Sequence, residues 1–170
     1  FLTEQERNYA YFMAKASWAG ARMVPHQISY EAPALFVIFQ TYFRDPDFQL
    51  LEECAIKDGA TQTEWKNFIA YVAGVYGNMS NYHSFGDIKF IPDLANFAKF
   101  TQILYSHPEA KKEVSHLKQV LDELLPQVDR EVFNIDKPYT QLNFPHEGGV
   151  TGYFSRNMTP EDLKLVKEVL

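Results

Sequence analysis

Metal chemistry in this chain would have to start from five histidines, His26, His83, His107, His116 and His146. A zinc hydrolase needs two imidazoles about one helical turn apart and a carboxylate that activates the bound water. His146-Glu147 is the sole His-Glu pair, and no histidine follows four or five residues after His146. Gly148-Gly149 would also break the helix that such a motif requires. His107 and His116 lie nine residues apart on separate segments. The histidines therefore form no local ligand set and read as surface or capping residues, His83 standing out only for its neighbours. No catalytic or metal-binding residue is assigned. Cys54, the lone cysteine, falls on the apolar side of a short helix and reads as a buried structural thiol rather than a nucleophile. The glycines at 148 and 149 neither follow a strand nor open a helix directly, so no phosphate-binding loop is present.

The turn from Asn81 to Asp87 is the stretch with chemical promise. Asn81, Ser84 and Asp87 gather hydrogen-bonding groups around Phe85 and Gly86. An Asn amide both donates and accepts, and Phe85 offers an apolar wall, a combination suited to holding a peptide backbone. The plainer alternative is that Asn81, Ser84 and Asp87 only satisfy the end of the preceding helix. On the residues alone the two readings stand level. Phe85, Ser84 and Gly86 are the candidate substrate-binding residues.

That turn is delivered by a helix. Thr61 can cap it, and Glu64 can reach back to the cap's own N–H. Trp65, Phe68, Ile69, Val72, Tyr76 and Met79 then recur at helical spacing. Ala70, Gly74 and Gly77 form a stripe of small residues, predicting close approach of another backbone. No Lys, Arg, Asp or Glu lies between Lys66 and Asp87. A helix without a charged face is normally buried, so this one is expected to be covered on most sides. Ile88 to Pro92 should leave it in extended form.

The other elements read as follows. Thr3 and Glu6 form a capping box for a helix over about residues 4–21, with Tyr9, Phe12, Met13, Ala16 and Gly20 at helical spacing. Val24 to Tyr30 is a connector broken by Pro25. Pro33 sits early in a helix over about 32–44, striped by Leu35, Phe36, Phe39, Tyr42 and Phe43. Asp45-Pro46 should cap and open a short helix that Asp58-Gly59 ends. A helix beginning at Pro92-Asp93 would carry Leu94, Phe97 and Phe100 up to the break at His107-Pro108. Residues 109–125 are amphipathic, with Val114, Leu117, Leu121 and Leu124 inward. Residues 134–149 lose all periodicity and read as an internal loop. Residues 150–154 predict a short strand. Thr159-Pro160-Glu161-Asp162 opens a last helix. The fold class is thus mainly α, one helical region over 1–170, with a small β component near 150–154.

Composition narrows the function. The chain has 170 residues, 46% hydrophobic and 15% aromatic, enough for a real core. Its net charge of −6 and its lack of any Lys/Arg cluster speak against nucleic acid as a partner. The apolar run Ala34 to Phe39 is far too short for a membrane span, which takes roughly 20 residues. A single cysteine rules out an internal disulfide and fits a reducing, cytoplasmic setting. The sequons at Asn78 and Asn157 carry little weight, because the first lies in the helix expected to be buried.

Several blocks resemble one family in the right order. Gly74-Val-Tyr-Gly-Asn-Met-Ser-Asn-Tyr-His-Ser-Phe-Gly-Asp-Ile-Lys-Phe-Ile-Pro92 resembles a segment near the start of the dipeptidyl peptidase III family, zinc-dependent exopeptidases that remove dipeptides from peptide N-termini. Asn78, Asn81, Tyr82, Ser84, Phe85, Gly86, Asp87, Lys89, Phe90 and Pro92 match the family pattern, while His83 and Ile88 replace its usual Lys and Thr. Glu6-Arg7-Asn8-Tyr9-Ala10-Tyr11 and Ala16-Ser17-Trp18-Ala19-Gly20 are similar to its first helix, and Gly149 to Asp162 to a later segment. The likeness covers roughly 3–105 and 149–170, and is weakest over 106–149. It implies the N-terminal part of a two-lobe peptidase, in the lobe facing the zinc lobe, with the phenylalanine at Phe85 lining the cleft where short peptides bind. It implies zinc in the parent protein and none held by this chain, which alone should be inactive. The uncapped apolar helix at Leu170 carries the same expectation, that the chain belongs to a longer protein. Two other readings remain: a parent resembling fungal aflatoxin oxidases of the same family, separable by testing dipeptidyl substrates, and a non-enzymatic helical interaction module.

Overall fold

In a computed structural model the structure describes residues 1–43, 47–84, 88–97, 99–100, 118–142, 149–150, 157 and 159–169. The described part is mainly α. Its helices are α1 (Glu4–Gly20), α2 (Val24–Ile28), α3 (Ala32–Phe43), α4 (Phe48–Lys57), α5 (Gln62–Asn78), α6 (Lys118–Val132) and α7 (Pro160–Val169).

Reciprocal Thr–carboxylate caps start three of them. Thr3, Thr61 and Thr159 each accept from the N–H three residues on, and each donates its own N–H to the carboxylate of Glu6, Glu64 or Asp162. The Thr backbone N–H, and after it the hydroxyl, holds each of these three carboxyls below its ordinary range. A depressed carboxyl contributes stability above its unfolded pKa and loses it as pH falls through the folded value. The contribution of Glu64 should therefore be whole at neutral pH and vanish below the ordinary glutamate range of about 4.3. Thermal melts should show Glu64→Ala below the parent at neutral pH, with the gap closing as acid protonates the depressed carboxyl. A gap that persists in acid would mean the carboxylate is not its source.

The packing hub is α3, which meets α2, α5 and α6. Leu35, Ile38, Phe39 and Tyr42 on α3 are fully buried. They meet Trp65, Phe68, Tyr71, Val72 and Val75 of α5, Phe97 and Phe100, and Val128 and Val132 of α6 in one core. The core is aromatic. Phe68 and Phe100 stack at 4.8 Å with rings 12° apart, and Phe39 meets Phe68, Tyr71, Tyr76 and Phe97 edge-on or nearly so. The Tyr42 hydroxyl donates to the Phe100 carbonyl. Burial holds its phenol well above its ordinary range. It stays a neutral donor.

Several expectations are corrected. Pro25 lies in the first turn of α2, where its absent N–H removes a donor that would be unpaired anyway, so it opens a helix rather than breaking a connector. The cap of α4 is Asp47, whose side chain accepts from Leu50 N at 3.0 Å, and not Asp45. Residues 93–96 are irregular ahead of the helical Phe97, so Pro92-Asp93 does not open a helix. α6 runs past Leu125 through Pro126 to Val132, because Val128 and Val132 gain burial against α3. No residue of α1 is buried, so the spacing of Tyr9, Phe12 and Met13 marks a helix and no core face in the described structure. Residues 45–46, 109–117, 143–148 and the expected strand from 151 lie outside the described residues.

The central helix is buried on one side only. Ala70, Ala73 and Gly77 are exposed, because uncharged small residues need no partner to tolerate water. Among the described residues, neither Gly74 nor Gly77 of the stripe is approached closely by another backbone. A Cβ on Gly74 would lie 3.1 Å from the Phe90 ring, whereas one on Gly77 would meet nothing within 4 Å. Gly77→Ala should therefore stabilise the chain by up to about 1 kcal/mol through helix propensity. Gly74→Ala should fall short of that, because the ring has to shift. Equal gains at both positions in denaturant unfolding would show that the Phe90 ring yields freely.

Candidate functional site

α5 ends at Met79, whose backbone is left-handed at φ 57°. A non-glycine residue there is strained by about 1–2 kcal/mol, so the surroundings must hold it. Asn78 does part of this. Its Nδ2 donates to the Gly74 carbonyl at 2.9 Å, and its Oδ1 accepts from both the backbone N–H and the hydroxyl of Ser84 at 2.9 Å. One amide thus joins the last turn of α5 to Ser84.

Past the helix the chain doubles back. Tyr82 bridges Lys89 in antiparallel fashion, with His83 N donating to Ile88 O at 2.9 Å and Phe90 N to Asn81 O at 3.0 Å. Residues 139–141 lie alongside: Ile88 bridges Gln141, and Lys89 N donates to Thr140 O at 2.9 Å. The Ser80 hydroxyl accepts from Tyr82 N and donates to Tyr82 O, closing the outer side of the first arm. Both arms of the turn, Asn81–Ser84 and Ile88–Phe90, are therefore pinned.

Beneath the arms lies a buried polar cluster. Lys89 Nζ is 2.6 Å from Glu31 Oε1, the two side chains 0% and 4% exposed. Nζ also donates to the Glu131 carbonyl at 3.0 Å. Asn81 Nδ2 donates to Glu31 Oε1 at 3.2 Å. The Tyr82 and Tyr139 rings lie 5.3 and 5.8 Å from the ammonium, and the Tyr82 hydroxyl donates to Tyr139 O. Burial, and then the Glu31 carboxylate, holds the Tyr71 and Tyr82 phenols well above their usual range. The cluster therefore sets the Lys89 side chain against Glu31 among neutral phenols, with Glu131 also acting on Tyr82.

Two cavities flank this region. One of about 280 Å³ is lined by Asn67, Tyr71, Asn78, His83, Phe90 and Asp93. His83 rests on the Phe90 ring at 4.9 Å, and Asn67 is held by the carbonyl and carboxylate of Asp93. The space takes a side chain rather than a drug-sized ligand. The other, of about 470 Å³, opens among α2, the start of α3 and α6, where His26, Glu31, Val128 and Glu131 line it.

Of the three residues expected to bind substrate, Ser84 is placed as described, and Phe85 and Gly86 lie outside the described residues. The structure adds Asn78, Glu31 and Lys89 as the groups that hold the arms. Lys89 carried no periodic signal, though a lone lysine between Ile88 and Phe90 was a hint. Cys54 is buried. Among the described residues no group of three His, Cys, Asp or Glu could hold a metal, so the side chains in view do not fit a zinc site. No helix among them is long and apolar enough to cross a membrane.

No family model matches the chain. It is similar to proteins named dipeptidyl peptidase 3 from Homo sapiens (39% identity), Rattus norvegicus (38%) and Nematostella vectensis (36%). Each match covers 99% of this chain but only 22–23% of the relative. The chain thus spans less than a quarter of the length of the curated relatives it matches. With 36–39% identity in matches that cover 99% of it, the chain belongs to the dipeptidyl peptidase 3 family.

Proposed function

We propose that the chain is the N-terminal portion of a zinc-dependent peptidase that releases dipeptides from peptide N-termini, and that it forms one wall of the substrate cleft without being catalytic alone. The observation that carries this reading is the turn at the end of α5. Asn78 holds Ser84 through two bonds, and the pairing of Tyr82 with Lys89 fixes both arms. Arms pinned in this way lower the ordering cost of binding an extended peptide. Ser84, Phe85 and Gly86 are the groups proposed to meet the peptide.

Zinc and its activating carboxylate belong, on this reading, to a partner lobe elsewhere in the protein. When bound, zinc would supply a nucleophilic water and polarise the scissile carbonyl; the residues of this chain bind and orient. The buried thiol of Cys54 fits a reducing, cytoplasmic location.

Dipeptide release from a dipeptidyl arylamide tests the proposal, measured for the isolated chain and for the full-length protein with and without a chelator. The full-length protein should release dipeptides and lose that activity with the chelator, while the isolated chain does nothing. Chelator-sensitive release by the isolated chain would contradict it. A full-length protein inert on every dipeptidyl substrate would turn attention to the oxidase-like alternative.

A further inference from the structure

We propose that Lys89 is a positioning residue for the substrate contacts made from this turn, acting through its caged ion pair with Glu31. The inference rests on the cleft-wall reading above.

The cage joins three elements at one nitrogen. Glu31 is the N-cap of α3, since its carbonyl accepts the first helical bond from Leu35 N. Its carboxylate therefore sits where the positive end of the helix dipole favours an anion. The Glu131 carbonyl belongs to the last turn of α6, where a cation is favoured, and it also accepts from Asn134 N at 3.1 Å. Lys89 Nζ lies between them, 2.6 Å from the carboxylate and 3.0 Å from the carbonyl. Glu31 also takes the Asn81 amide, so one carboxylate grips both arms: Asn81 directly and Lys89 by charge. Tyr82 and Tyr139 flank the ammonium.

Such a pair serves geometry more than cohesion. A buried ion pair is often no more stabilising than an apolar pair of the same volume. What an apolar pair lacks is direction. A one-residue slip between the arms would move Lys89 to the opposite face and leave Glu31 uncompensated. The cage thus fixes register and separation on either side of residues 85–87, and ties both to α3 and α6.

The test uses the full-length protein and steady-state kinetics on a dipeptidyl arylamide, with melting temperature in parallel. Lys89→Met is compared with Lys89→Arg and with the double variant Glu31→Gln/Lys89→Met, which removes both charges and keeps the volume. Misplacing a binding group by an ångström can cost up to about a hundredfold, and loss of uniform binding appears in KM. Lys89→Met should raise KM about tenfold with kcat within about twofold, and Lys89→Arg should recover most of the loss. The double variant should melt close to the parent yet keep the raised KM. If Lys89→Met does not fold, the double variant carries the test. Its return to the parental KM, or a lowered melting temperature with KM unmoved in every variant, overturns the proposal. An unsubstituted protein that releases no dipeptide overturns the cleft-wall reading and this inference with it; parental activity with unmoved KM overturns this inference alone.

Discussion

Lys89→Met alone is expected to destabilise the chain by about 3–5 kcal/mol, the cost of leaving a buried carboxylate without its counter-ion. Glu31 would keep the Asn81 amide and lose the ammonium at 2.6 Å. With its side chain 4% exposed, water cannot replace what is lost. The Glu131 carbonyl would also lose a donor, though Asn134 N still reaches it at 3.1 Å. For a chain of this size each kcal/mol lowers the melting temperature by about 2–4 °C. Adding Glu31→Gln to Lys89→Met should restore most of the stability, because no buried charge then remains. Denaturant unfolding of the single and double variants measures this. Equal losses in both would mean that the Lys89 stem, rather than its charge, carries the stability.

Phe68→Ala should cost about as much, roughly 3–5 kcal/mol, for a different reason. Phe68 is 0% exposed and, among the described residues, its ring meets those of Phe39, Tyr42, Phe43, Trp65, Phe97 and Phe100. Rigid rings cannot close over the void, so both the transfer term and the cavity term are lost. Phe68→Leu keeps most of the volume and should cost under about 2 kcal/mol. Trp65 lies against Phe68 and Phe100 and is itself buried, so its fluorescence reports this region as it unfolds. A Phe68→Ala loss no larger than that of Phe68→Leu would show that the core repacks.

The two effects are separable in design. Phe68 holds α5 onto α3, the platform from which the turn is delivered. Lys89 holds the arms of the turn on that platform. Weakening the first should act through the population of folded protein, whereas loss of Lys89 should raise KM even in the double variant that regains stability.

Much of the helix framework was legible from residues three or four apart. The capping boxes at Thr3 and Thr61, and the helix start at Thr159, sit where their sequence put them, because the groups that satisfy one another are neighbours along the chain. Gly59 takes the left-handed backbone at φ 86° for the same local reason. The aromatic stripes of α3 and α5 pointed to the core because helical spacing fixes which side chains share a face. Family membership was also carried by the sequence, in blocks that match in order.

Tertiary structure decided the rest. The extent of burial around α5 was overread, because absence of charge permits burial without requiring it. Pro126 stays inside α6 because burial of Val128 and Val132 outweighs a local cost that sequence reasoning takes as decisive. The pairing of Lys89 with Glu31 has no period and no motif. It exists because the end of α6 and the start of α3 converge on one arm of a turn, and a charge left alone there would be intolerable. Short-range hydrogen bonding and periodicity thus set which segments are helices, whereas the convergence of distant segments set which polar groups must find each other in the interior.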